Sequence, residues 1–223
     1  MPLINLYVGP TAYGLQAQLL AAPALRIFPP VRRGDIEALI SSGARPAVIV
    51  ICDGIFQSVP AVSHAELCLA LDAQWKVWGV SSIGAIRAFE LRNEGMHGFG
   101  HVYAMLCHDS DFADDEMCHL HFPETPYFPV SEPLVNLRHA LASLGPKLGV
   151  SDRAVARTIE GLREMWFGDR TLEKMKEMMV VNAGVEPTKA AAILNWLVRN
   201  RVKTADLRKL LTQRPWQLPQ KTA

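Results

Sequence analysis

The chain has 223 residues, with 23 Lys+Arg against 22 Asp+Glu, an apolar fraction of 49% and a charged fraction of 20%. Those values exclude a disordered chain, a collagen-like repeat and a coiled coil, and the length allows one large domain or a domain with a small appendage. Four scattered cysteines (Cys52, Cys68, Cys107, Cys118) are too few for a disulfide scaffold, so free thiols in a reducing cytoplasm are expected.

The first 25 residues carry no charged side chain. Pro2, Gly9, Pro10, Gly14 and Pro23 interrupt them and no basic leader precedes them, so they read as a buried strand and a helix, not as a signal or a membrane span. Residues 4–8 predict a strand, 14–22 a helix, 24–28 a weaker strand and 35–41 a short helix. Residues 47–52, Ala-Val-Ile-Val-Ile-Cys, are the strongest strand, a continuous apolar run of the kind buried on both faces of a parallel sheet. A helix follows over 63–71, a strand over 77–80 and a helix over 84–93. This alternation predicts an α/β fold, an open and mostly parallel sheet flanked by helices in the Rossmann-like manner. Residues 95–130 have weak periodicity and read as a short helix over 102–108, an acidic loop over 109–116 and extended chain. From Pro133 the pattern turns helical, with helices expected over 133–142, 152–165, 172–181, 188–200 and 205–212 and a loose tail over 213–223. The domain reading is an α/β core over 1–145 and a helical region over 146–223. Residues 1–150 hold 9 basic and 14 acidic side chains, a net of −5, whereas 151–223 hold 14 and 8, a net of +6. An acidic body with a basic tail suggests two units or a tail that meets an acidic partner.

In open α/β sheets ligands bind beyond the carboxyl ends of the strands. Two strand ends carry polar residues there: Asp53-Gly54 and Ser81-Ser82. Val77–Arg87 runs a strand into a tight turn with two hydroxyls and then a helix, a partial match to a nucleophile elbow. Gly84 lets the helix approach the strand, and free N–H groups at the helix start suit an oxyanion or an anionic ligand. The plain alternative is Ser82 as a helix N-cap. Asp53 either orients a base or binds a metal, or it closes a turn beside Gly54. With His64 at the start of the next helix, Ser82, His64 and Asp53 form a candidate Ser–His–Asp set. Arg32 and Arg33, behind two prolines, offer a bidentate grip on a carboxylate or phosphate. Residues 97–121 hold five His and two Cys, but no Cys-x-x-Cys and no His-Glu-x-x-His, so no metal is expected and no cofactor either. Asp114-Asp115-Glu116 reads as a solvated loop or helix start. The basic tail carries no recognition-helix signature, so neither nucleic acid nor membrane is expected as a partner.

The sequence resembles the TfuA-like proteins in a series of ordered segments: Gly9-Pro10-Thr11, PPVRRGD at 29–35, DGIF at 53–56, VPAVSH at 59–64, SIGAIR at 82–87, Glu90-Leu91, Gly95-Met96, DDE at 114–116 and SEPLVNLR at 131–138. The resemblance implies work beside a YcaO enzyme, which activates a peptide amide with ATP so that sulfur replaces its oxygen. The products are thioamides in ribosomally made peptides or in a methyl-coenzyme M reductase subunit. It also implies delivery of sulfide, through hydrolysis of a thiocarboxylated, ThiS-like ubiquitin-type sulfur carrier. In that scheme Ser82 is the nucleophile, His64 or a water held by Asp53 the base, and Ser81 and Gly84 line the substrate. Arg32, Arg33 or Arg87 would orient the carrier's anionic tail. The precursor peptide would be met only indirectly, and self-association is left open. One departure stands out: the family pattern has Lys after the His of the VPAV segment, where this chain has His64-Ala65-Glu66. If that lysine were the base, this chain would be a docking or allosteric activator of YcaO instead. Ile83 and Ile86 stand where Met and Leu are common, swaps that conserve bulk.

Overall fold

The computed structural model of the chain describes residues 3–55, 59–108 and 112–217. Phe56 of the DGIF segment, Asp109 of the acidic loop and residues 218–223 of the tail lie outside the described residues. Two compact units result, one of residues 1–112 with 203–223 and one of residues 113–202.

The first unit is built on β1 (Ile4–Tyr7), β2 (Leu25–Phe28), β3 (Val48–Ile51), β4 (Lys76–Val80) and β5 (His97–Phe99). They form one sheet in the order β2-β1-β3-β4-β5, every pair parallel. The apolar runs at β1 and β3 are buried along their whole length, as a sheet covered on both faces requires. Helices α1 (Ala17–Leu20), α2 (Asp35–Ser41), α3 (His64–Asp72) and α4 (Ile83–Glu90) connect the strands, and α5 (His101–His108) follows β5. The expected open α/β sheet is therefore present. β5 escaped the sequence reading because His-Gly-Phe is three half-buried residues with no apolar run.

The last helix of the chain, α10 (Val202–Gln213), was expected in the helical region; from Lys203 onward it is part of the sheet unit. The reason is its apolar stripe. Leu207, Leu210 and Leu211 pack in one core with Ile4, Leu6, Val48, Val50 and Trp78. Trp216, in the tail read as loose, is buried in the same core. Truncating it to Ala should cost about 3–5 kcal/mol, measurable by urea unfolding of the full chain.

Asp206 on α10 accepts the Val102 N–H at 2.9 Å and so caps α5. Burial pushes its carboxyl above the ordinary range, against the opposing bonds from the Val102 and His101 backbone. A carboxyl that holds its proton more tightly when folded contributes most below its unfolded value, near 3.8, and that contribution is lost as pH rises through the raised value. Asp206→Asn keeps an acceptor oxygen and never ionises. Its stability relative to the natural chain should therefore rise between pH 4 and 7, whereas Asp206→Ala should lose about 1–2 kcal/mol of capping.

The second unit is helical: α6 (Leu134–Leu144), α7 (Asp152–Arg163), α8 (Leu172–Glu177) and α9 (Pro187–Arg199). Leu137, Leu141, Ile159, Leu162, Met175 and Ile193 are among its core residues. The DDE segment, expected to be a solvated loop or a helix start, opens a short 3-10 helix (Asp114–Met117), and its side chains form ion pairs. Glu116 is fully buried and takes both Arg138 and Arg163. Asp115 takes the fully buried Arg170 at 2.5 Å. In the SEPLVNLR segment, Glu132 holds Arg201 through both carboxylate oxygens and accepts from Asn136 at 2.6 Å. These acidic residues neutralise four partly or wholly buried guanidiniums, Arg138, Arg163, Arg170 and Arg201. No described helix is long and apolar enough to cross a membrane.

Candidate functional site

The order β2-β1-β3-β4-β5 reverses direction between β1 and β3, and ligands of such sheets settle outside the carboxyl ends at that point. The residues leaving β1, β3 and β4 on that edge are Gly9-Pro10-Thr11, Asp53-Gly54 and Ser81-Ser82.

Asp53 is committed to the turn after β1. Its carboxylate accepts the Gly9 N–H at 2.9 Å, the Thr11 N–H at 3.0 Å and the Thr11 hydroxyl at 2.6 Å. It does not orient His64. That imidazole is exposed and bonded to Glu90 at 2.8 Å, and no hydrogen bond joins it to Ser82 or Asp53 among the described residues. Burial pushes the Glu90 carboxyl up, but the bonds from His64 and Arg87 outweigh it and hold the group below its ordinary value. The Ser82–His64–Asp53 set is thus not assembled by hydrogen bonds in this structure. The physical reason is that α3 begins after a loop: its capping box, Ser63 with Glu66, sets His64 toward solvent beside α4.

The turn after β4 is strained as a nucleophile elbow is, but at Ser81, whose φ is +66. Gly79 stands two residues before it but Ile83 two after, so the two glycines of the elbow pattern are divided between Ser81 and Ser82. Ser81 is fully buried and its hydroxyl donates to the Lys203 carbonyl at 2.7 Å. Ser82 sits at the N-cap of α4, yet its side chain makes no capping bond. Its Oγ lies 3.3 Å from the Lys203 ammonium instead. Ser82 and Lys203 are each only 3% exposed. Thr204, the next residue, donates to the Thr11 carbonyl at 3.0 Å. The first turn of α10 therefore bonds to the segments that leave β1 and β4, and Asp53 ties the end of β3 to the first of these.

Gly84 is needed for packing. A Cβ there would lie 1.8 Å from the Ile51 carbonyl oxygen, and one at Gly79 would lie 1.9 Å from the Gly84 carbonyl oxygen. The Gly84 N–H is already spent on the Cys52 carbonyl at 3.3 Å. Cys52, buried beside these groups, is no thiolate nucleophile: burial, reinforced by the Asp53 charge, pushes its thiol well above the ordinary value.

The arginines divide into two kinds. Arg87 is held by the Val62 carbonyl at 3.0 Å and by Glu90 at 2.6 Å. Arg32 and Arg33 are exposed, on a loop that Val31 ties to the same edge through a bridge to Gly54 and a bond to the Asp53 carbonyl. The Arg33 side chain makes a long contact, 3.4 Å, to the Ala61 carbonyl. Among the described residues no group of three or more His, Cys, Asp or Glu is placed to hold a metal ion. His119 and His121 face each other, with ring centroids 5.7 Å apart, on a stretch where Phe122 and Phe128 are exposed.

The TfuA-like protein family matches residues 53–171, which include Asp53, His64, Ser82, the DDE segment and SEPLVNLR. The chain belongs to the TfuA-like family. Membership brings the general role of a partner associated with YcaO proteins. No curated protein matches the sequence.

Sequence reasoning missed Lys203, Thr11 and Thr204. The signal for Lys203 was present: positions 203, 207, 210 and 211 form an i, i+4, i+7, i+8 stripe in which three leucines share a face with one lysine. A cation on the apolar face of a helix is the exception that marks a specific partner.

Proposed function

We propose that this TfuA-like chain works beside a YcaO enzyme by releasing sulfide from a thiocarboxylated ubiquitin-type carrier of the ThiS kind, with Ser82 as the nucleophile. The observation that carries the reading is the environment of that hydroxyl. It lies at the carboxyl edge of the sheet, is not used as a cap, and is held against a lysine amine. Acyl transfer needs a nucleophile, a base and a site for the oxyanion. The positive end of the α4 dipole faces the same place. The exposed Arg32 and Arg33 suit the anionic C-terminal tail of the carrier.

Ser82→Ala should lower sulfide release from a thiocarboxylated carrier by about 10³-fold or more, with binding of the carrier intact. Release at the natural rate would end the reading. Replacing Arg32 and Arg33 together with Ala should raise KM for the carrier about tenfold and leave kcat nearly unchanged, the mark of lost uniform binding.

A second reading, a docking or allosteric activator without chemistry of its own, is favoured by one observation: the Ser82 hydroxyl is nearly covered. The exposed Ala65, in place of the family's lysine, fits it too. Thioamidation by YcaO supplied with free sulfide separates the two. An activator still stimulates it as Ser82→Ala, whereas a sulfide-releasing chain is dispensable under those conditions.

A further inference from the structure

We infer that a cavity at the amino-terminal edge of the sheet, lined by Asn5, Arg26 and Arg45, is a second binding site, and that it takes a small phosphate monoester whose apolar body carries an N–H or O–H donor. The inference goes beyond the reading of Ser82 and does not depend on it. The cavity has a volume of about 360 Å³, enough for a metabolite and not merely an inorganic ion. Leu3, Ala47 and Trp75 line it and directly precede β1, β3 and β4, so it lies at the end of the sheet opposite the Ser81-Ser82 turn.

The pleat of the sheet brings the polar groups together. Ile4 and Leu6 point into the core shared with α10, so Asn5 belongs to the other face. Arg26 pairs in register with Asn5 across the parallel ladder to β2 and shares that face. Arg45 comes from the loop that leads from α2 into β3.

Asn5 is the first ground. It is 1% exposed, in a strand whose other residues are apolar or aromatic. Its Nδ2 donates to the Val48 carbonyl at 3.2 Å, which fixes the orientation of the amide and turns Oδ1 the other way. That oxygen is buried and has no hydrogen-bond partner among the described residues. A buried acceptor left unpaired is costly, and a donor brought in by a ligand would satisfy it.

Charge is the second ground. Arg26 and Arg45 are both exposed, and neither makes a hydrogen bond or an ion pair among the described residues. No carboxylate is among the described residues that line the cavity. Residues 1–150 carry a net charge of −5, so two uncompensated guanidiniums on one cavity are the exception in this part of the chain. Together they match a phosphate monoester, which carries about −1.5 to −2 at neutral pH, better than they match a single carboxylate. Leu3, Pro46, Ala47 and Trp75 make the remaining wall apolar, which suits an ester whose body is apolar except for the donor that meets Asn5.

The test is isothermal titration of the full chain with 4-aminophenyl phosphate at about 0.15 M salt, where loose surface attraction is screened. Three comparators each remove one part of the probe: phenyl phosphate lacks the donor, inorganic phosphate lacks the body and aniline lacks the anion. Expected is saturable binding of 4-aminophenyl phosphate with Kd below about 1 mM, with phenyl phosphate and inorganic phosphate about tenfold weaker and aniline not bound. Arg26→Ala and Arg45→Ala should each weaken the probe about tenfold, whereas a double variant of Arg32→Ala and Arg33→Ala, at the carboxyl edge, should leave it unchanged. In Asn5→Leu the preference for 4-aminophenyl phosphate over phenyl phosphate should vanish. If Asn5→Leu does not fold, the two arginine variants, at exposed positions, decide the matter. Adenosine 5′-monophosphate, which joins a phosphate monoester to an amine-bearing ring, is the second probe. Tighter binding than 4-aminophenyl phosphate assigns the site to nucleotides, and weaker binding assigns it to smaller esters. No saturable binding of either ester, binding that survives the combined Arg26→Ala and Arg45→Ala change, or binding lost in the Arg32→Ala and Arg33→Ala variant overturns the inference.

Discussion

Gly84→Ala is expected to destabilise the sheet unit by more than about 3 kcal/mol. The added methyl would lie 1.8 Å from the carbonyl oxygen of Ile51, and that oxygen belongs to the backbone of the central strand β3. No rotamer change relieves such a contact. Either α4 moves away from β3, or the strand bends and its pairing with β4 weakens. Gly79 sits in the same seam, 1.9 Å from the Gly84 carbonyl oxygen for a built Cβ, so Gly79→Ala should act in the same direction. Both helix and strand carry the Ser81-Ser82 turn, so any shift also moves Ser82 from Lys203. Urea unfolding of the full chain measures the loss. A cost below about 1 kcal/mol would mean that the helix does not approach the strand this closely.

Glu116→Ala should cost the helical unit about 3–5 kcal/mol. The carboxylate is fully buried and serves two guanidiniums, Arg138 and Arg163, the latter at 2.8 Å. Removing it leaves two partly buried cations facing each other across a cavity. The loss is a penalty for two buried guanidiniums whose charge is less well neutralised, not the net worth of the ion pairs. A triple change of Glu116, Arg138 and Arg163 to apolar residues of similar volume should therefore recover most of the stability, the reverse of additivity. Hydrogen exchange is the suitable readout. Amides of α6 and α7, which bear the two arginines, should lose protection in Glu116→Ala while β1 and β3 keep theirs. Unchanged exchange in α6 and α7 would show that the arginines find water instead.

Several features were legible in the chain because they depend on neighbours in sequence. The apolar runs at β1 and β3 show that strands are buried on both faces, and their alternation with helices implies parallel connection. The Asp53-Gly54 and Ser81-Ser82 pairs mark where those strands end, and so where chemistry is sought. The ordered motifs identify the family before any contact is known. Other features depend on residues far apart. Whether Asp53 orients a base or clamps a turn is decided by Thr11, 42 residues away. Whether the DDE segment is solvated is decided by Arg138, Arg163 and Arg170, which no local pattern pairs with it.

The partner of Ser82 is the clearest case. Residue types and spacing suggested His64, because the two lie on adjacent strand–helix connections. Folding turned that imidazole to Glu90 and brought Lys203 to the serine from 121 residues away. Local sequence specifies hydrophobic period, turn chemistry and the hydroxyl's place at a strand end, since these depend on backbone geometry within a few residues. Which side chain reaches that hydroxyl depends on how a distant helix buries its leucines, and only the packed core settles that.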